Sequence, residues 1–149
     1  MQTYDLAQYL RQAGAAVIAG FHTPMERECL NILIGGKQPI IICPARNIDG
    51  MRIPSAWKSP IYEGRLLVLS PFNRKHRRIT AALGEKRNEF VATIADRIFV
   101  AYASPGGKTE QFCQKIISWG KTLLTFDCKE ITRLLHMGAR TVQIEDIVK

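Results

Sequence analysis

The sequence predicts an α/β fold: a three-layer Rossmann-like domain with a mostly parallel sheet. Three observations carry this. Short apolar runs of strand length alternate with helix-period segments from end to end. The runs carry little polar alternation, as in strands covered on both faces. Repeated strand-helix-strand units of this length require right-handed crossovers and a parallel sheet.

The elements follow in order. Tyr4 to Ala13 carries apolar residues at helical spacing, and "AAVIAG" is the first strand. Pro24 opens a helix over Met25 to Ile34, and Gly35-Gly36 stops it. "QPIIICP" is the second strand, Ser55 to Glu63 a helix, and "GRLLVLSP" the third strand. A helix over Arg87 to Ala95 leads into "DRIFVAYA", and Thr109 to Trp119 leads into "KTLLTF". Lys129 to Met137 is a last helix, and "ARTVQIEDIVK" holds a small extra strand for a sheet edge or another subunit. The chain opens on a helix where a wound sheet usually opens on a strand. It reads either as a minimal variant or as lacking an upstream strand.

With 149 residues, 46% of them hydrophobic and 23% charged, the chain is expected to form one domain over 1–149 with a sizeable core. The longest apolar runs fall far short of the roughly 20 residues of a bilayer span, so no membrane association is expected. The four cysteines are widely spaced and form no metal-ligand pattern; with no charged leader or apolar signal stretch, they indicate a reduced, cytoplasmic setting. Cys29 and Cys43 lie in apolar surroundings and read as small core residues. A net charge of +8 favours polyanionic partners, because Lys and Arg release counterions from phosphate backbones.

"SPGGKTEQF", Ser104 to Phe112, resembles the end of a phosphate-gripping loop. A P-loop ending at Gly107-Lys108-Thr109 would need its first glycine at position 102, which is Tyr102, so the triphosphatase pattern fails on spacing. A Gly-Gly turn opening a helix can still present N–H groups to an anion, which keeps Ser104, Gly106, Gly107, Lys108 and Thr109 as candidates. In a wound sheet, ligands bind beyond the carboxyl ends of the strands. That rim comprises Gly20-Phe21-His22-Thr23, Pro44-Ala45-Arg46-Asn47, Ser70-Pro71-Phe72-Asn73 and the Ser104 turn. No GxGxxG follows any strand, so a dinucleotide is not expected, and the reading calls for no cofactor.

Charge is densest between Asn73 and Asn88, where Arg74, Lys75, Arg77, Arg78, Lys86 and Arg87 face Glu85 alone. The run starts at a strand's ligand-binding end, so it reads as a phosphate track as well as a solvated face. Phe72, Trp57 and Tyr102 would stack bases if exposed, and would be core otherwise. His22 ahead of Glu26 admits an imidazole-carboxylate pair, whereas Thr23 with Glu26 fits a capping box. No nucleophile with a base and an orienting group stands out.

The order of segments from "AAVIAGFHTPMERECLNILIGGKQPIIICPA" through "KRNEFVATIADRIFVAYASPGGKTEQFCQKIISWGKTLLTF" resembles the DNA processing protein A family. The likeness runs from about Ala15 to Phe126. Arg87 and Asn88 match that family's Arg-Asn pair, and Gly106, Gly107 and Lys108 match its glycine/serine loop. Glu89 stands where the motif has a second arginine, His22-Thr23 replace small residues, and the opening Gly-Ser-Arg strand is missing. The resemblance implies single-stranded DNA bound in a basic pocket, a homodimer, and a RecA-type recombinase as partner in DNA uptake. Pro105 to Thr109 is also similar to the loop of the lonely guy nucleotide hydrolases. There Phe112 occupies the acidic slot, so Glu110 would have to act as the carboxylate of an N-glycosidic hydrolase. A non-catalytic nucleotide sensor is a further reading of the same pocket.

Overall fold

The computed structural model describes residues 2–128 and 131–149. Strands and helices alternate along the chain, every strand pair is parallel, and the fold is α/β and Rossmann-like. The described residues pack as two compact units, the first holding residues 2–93 with Val148 and the second 94–128 and 131–147 with Lys149.

The first unit begins with α1 (Gln2–Ala13), β1 (Val17–Ala19) and α2 (Pro24–Ile34), followed by β2 (Ile40–Ile42), α3 (Ser55–Tyr62) and β3 (Leu66–Val68). Its sheet runs β1-β2-β3, with Ile40, Ile41 and Ile42 in register with Val17 to Ala19 on one side and Leu66 to Val68 on the other. Phe21, Leu30, Leu33, Ile40, Ile42 and Leu66 form its core. Burial on both faces holds for central β2, but edge strand β3 leaves Leu67 51% exposed. The expected cap forms at the start of α2. Thr23 Oγ1 accepts from Glu26 N (3.2 Å), and the Glu26 carboxylate accepts from Thr23 N (2.8 Å) and His22 N (3.2 Å). Glu26 thus takes the main-chain N–H of His22 in a capping role.

α4 (Ala81–Ile94) starts six residues before the expected Arg87. Thr80 Oγ1 accepts from Leu83 N (3.2 Å), which satisfies an orphan first-turn donor. Gly84, costly inside a helix, hid this start in the sequence. Arg87 consequently lies in mid-helix, with Leu83 and Ala92 among its buried residues.

The second unit contains β4 (Arg97–Phe99), α5 (Lys108–Ser118), β5 (Thr122–Thr125), α6 (Thr132–Met137) and β6 (Arg140–Thr141). Its sheet runs β4-β5-β6. The extra strand expected near the end is β6, which pairs with β5 through Leu124↔Arg140 and Thr125↔Thr141. Lys129, where the last helix was expected to start, lies outside the described residues. Cys113, Ile116, Leu123, Phe126, Ile131 and Leu134 are buried here, and Phe99 meets Phe126 edge-on at 4.7 Å.

Cys29, Cys43 and Cys113 are buried, as the sequence indicated for the first two. Burial pushes the Cys43 and Cys113 thiols up to about 11. Unfolded thiols titrate near 8.5. Between about pH 8.5 and 11 the unfolded chain therefore sheds protons that the folded chain keeps. The contribution is complete below that window and is lost as pH rises through it. Urea unfolding should show stability falling by on the order of 3 kcal/mol per thiol across the window. A Cys43→Ala, Cys113→Ala double variant should lack that loss; an unchanged alkaline slope would contradict the assignment.

Candidate functional site

The site in the first unit is built around Gly20 and Arg87. β1 ends at Ala19, and Phe21 then adopts φ 49°, a left-handed conformation unusual for a bulky residue. This bend buries the Phe21 ring in the core and leaves His22 and Thr23 exposed. Arg87 comes from α4 and is only 7% exposed. Its Nε donates to Asn88 Oδ1 (2.8 Å) and its Nη1 to the Cys43 carbonyl (3.1 Å) at the end of β2. The guanidinium lies against Gly20 so closely that a methyl there would overlap Nη1 and Cζ. Glycine at position 20 is therefore a condition for Arg87 to occupy this place.

Among the described residues, Arg87 has no carboxylate within ion-pairing distance. Burial lowers its pKa, and the field of Glu26 partly offsets this. A buried arginine without a paired acid is costly, and that cost is normally removed by an anionic partner. The guanidinium lines a cavity of about 320 Å³ together with Phe21, His22, Arg27, Trp57 and Ile79. The volume is at the small end of ligand pockets. Its walls offer a cationic floor and aromatic sides.

A second cleft, of about 470 Å³, is lined by Arg46, Asp49, Gly50, Arg74 and Arg77. Arg46 is half-buried, whereas Arg74, Lys75, Arg77 and Arg78 are exposed. Phe72 is half-buried with its ring edge-on to His76 at 5.9 Å, so it is not an open stacking platform.

The glycine turn belongs to the second unit. Gly106 has φ 71° and its N–H donates to Glu110 Oε1 (3.2 Å), while the Gly107 N–H donates to the Ser104 carbonyl (2.9 Å). The two amides expected to grip an anion are thus engaged inside the turn. Ser104, Lys108 and Thr109 are exposed around it. Glu110, at the third position of α5, is 5% exposed and ion-paired with Arg133 Nη2 (3.0 Å). This carboxylate complements the helix N-terminus from within.

The structure brings Gly20, Phe21, His22 and Arg87 to one cavity, and Arg46, Arg74 and Arg77 to one cleft. Arg27 and Ile79 in the cavity, and Arg133 beside Glu110, were not singled out from the sequence. The signal for Arg87's burial was available: with α4 started at Ala81, Leu83 and Arg87 are four apart and share a face. Arg133 carried no local signal, because its partner is 23 residues away. Among the described residues no group of three metal-ligating side chains occurs, and no helix is long and apolar enough to cross a membrane.

No protein-family model matches the chain, and no curated protein matches it in sequence. The similar solved structures include two of DNA processing protein A. DNA processing protein A from Streptococcus pneumoniae superposes with a TM-score of 0.69 at 15% identity, over 95% of this chain and 53% of that one. DNA processing protein A from Helicobacter pylori, whose structure is described for its single-stranded DNA binding mode, gives 0.72 at 18% identity, over 97% and 69%. The chain thus spans about half the length of the S. pneumoniae protein. At these identities the likeness is one of architecture, and the chain has a Rossmann-like fold of the DNA processing protein A type.

Proposed function

We propose that this chain binds single-stranded DNA and anchors one of its phosphates on Arg87. The observation that carries the reading is a buried guanidinium without a carboxylate partner, seated under Gly20 and lining a cavity. A phosphate there would complete the unmatched charge, with Arg27 and His22 beside it and Trp57 available to a sugar or base. The description of the H. pylori protein as a single-stranded DNA binder supports the reading, because the two share an architecture. The exposed cations after β3 would attract neighbouring phosphates. The same reading extends to a cytoplasmic role in DNA uptake and recombination, with a RecA-type recombinase and a second copy of the chain as partners.

The test is fluorescence anisotropy with labelled oligothymidylates of increasing length beside thymidine monophosphate, at several salt concentrations. Affinity is expected to rise with length. If about six phosphates are neutralised, log affinity should fall with log salt at a slope of roughly -4, about 0.7 per contact. A flat salt response would remove the proposal, and saturation by the mononucleotide with no gain from length would leave a nucleotide sensor instead.

A further inference from the structure

We propose that the cleft between Arg46, Arg74 and Arg77 is a second phosphate position for the same strand, occupied in the unliganded protein by the carboxylate of Asp49. The proposal rests on the single-strand reading above and adds a gated subsite to it.

The first observation is how the cleft is held. Asn47 is 8% exposed and joins the loop after β2 to the loop after β3: its N–H donates to the His76 carbonyl (2.6 Å) and its Nδ2 to the Phe72 carbonyl (2.7 Å). Its Oδ1 accepts from Asp49 N (2.9 Å), which fixes the Asp49 backbone. Ser70 Oγ donates to the Arg46 carbonyl (2.6 Å), a second tie between the same loops. Here the ties hold the backbones of Arg46 and Asp49 against the loop that carries Arg74 and Arg77, which lowers the ordering cost of binding.

The second observation is the charge balance. Asp49 Oδ2 accepts from Arg74 Nε (2.7 Å), with both side chains more than half exposed. Arg46 directs its Nε to the Asn47 carbonyl (2.9 Å), and among the described residues neither Arg46 nor Arg77 is paired with a carboxylate. Three guanidinium groups thus share one acid. A phosphodiester would match the surplus and offers the oxygen geometry that arginine forks prefer. To engage Arg74 fully it must displace Asp49 from Arg74 Nε.

The third observation is continuity. Pro44 and Ala45 line the Arg87 cavity, and the next residue, Arg46, lines the cleft. A ligand crossing that short stretch of loop would carry more than one phosphate, which identifies a strand over a free anion.

The experiment compares wild type, Asp49→Asn and an Arg74→Ala, Arg77→Ala double variant, using a long labelled oligothymidylate and thymidine monophosphate. All three positions are exposed, and loss of an exposed ion pair changes stability little. The double variant should bind the oligomer about tenfold more weakly, with a salt slope shallower by about 1.4, twice the 0.7 of one contact. Its affinity for the mononucleotide, which reaches only the Arg87 cavity, should change less than about twofold. Asp49→Asn should tighten the oligomer a few-fold by releasing Arg74, and the gain should vanish when Arg74 is also replaced by alanine, which a general charge effect would not require. An oligomer affinity unmoved in the double variant, or lowered by Asp49→Asn, would overturn the subsite. If wild type still binds both ligands through Arg87, the anchoring reading survives that result. Absence of any nucleotide binding by wild type would overturn both. Polyglutamate competing as well as the oligomer would overturn the phosphate assignment in favour of an acidic peptide.

Discussion

Replacing Arg87 with lysine is expected to lower single-strand and mononucleotide affinity by about a hundredfold while the protein remains folded. The guanidinium bonds Asn88 through Nε and the Cys43 carbonyl through Nη1, and the residue also lines the cavity. Lysine is a point donor on a flexible stem and cannot serve all three directions. Burial also favours its neutral form, so it would lose charge where arginine does not. Loss of one or two charge-assisted bonds, each about 1.5–3 kcal/mol, accounts for the magnitude. Anisotropy titration gives the affinity and a thermal melt shows whether the fold persists. Wild-type affinity in Arg87→Lys would dissociate the cavity from binding.

Gly20→Ala is expected to act on the same site without touching a charge. The added methyl overlaps the Arg87 guanidinium, whose position is fixed by two hydrogen bonds in a buried setting. Either Arg87 swings out or the loop after β1 shifts. Overpacking of this kind costs about 1–3 kcal/mol. Binding should fall more than tenfold, because the anchor is displaced. Gly84→Ala is the matched control: it lies in α4 with open space around it, so the same chemical change should raise stability by up to about 1 kcal/mol and leave binding alone. If both variants bind as wild type does, the contact between Gly20 and Arg87 has no functional consequence.

Much of the fold was legible because its signals are local. Apolar runs such as "PIIIC" and "KTLLTF" are strand-length, and Thr23 with Glu26 gives a reciprocal cap readable from a three-residue spacing. The start of α4 was not legible, because Gly84 and the preceding cations resemble a loop. That one misplacement hid the burial of Arg87, which the sequence presented as one rim cation among six. The site depends on long-range approaches: Gly20 against Arg87, Asn47 against Phe72 and His76, and Arg133 against Glu110. Each partner alone has an ordinary local explanation, a turn glycine, a loop asparagine or an exposed helix arginine. Only the packed chain joins them. The glycine turn at Gly106 shows the reverse case, since its motif was conspicuous, yet its amides serve Glu110 and Ser104.

The most direct test observes the Nε–H of Arg87 itself. Its hydrogen bond to Asn88 slows exchange with solvent, so the resonance should be visible in ¹⁵N-labelled protein and identified by its loss in Arg87→Lys. Adding an oligothymidylate should shift this signal in proportion to saturation, while the Nε–H of Arg65, held by Glu63, stays in place. An Arg87 signal that does not move at saturating strand would contradict the account.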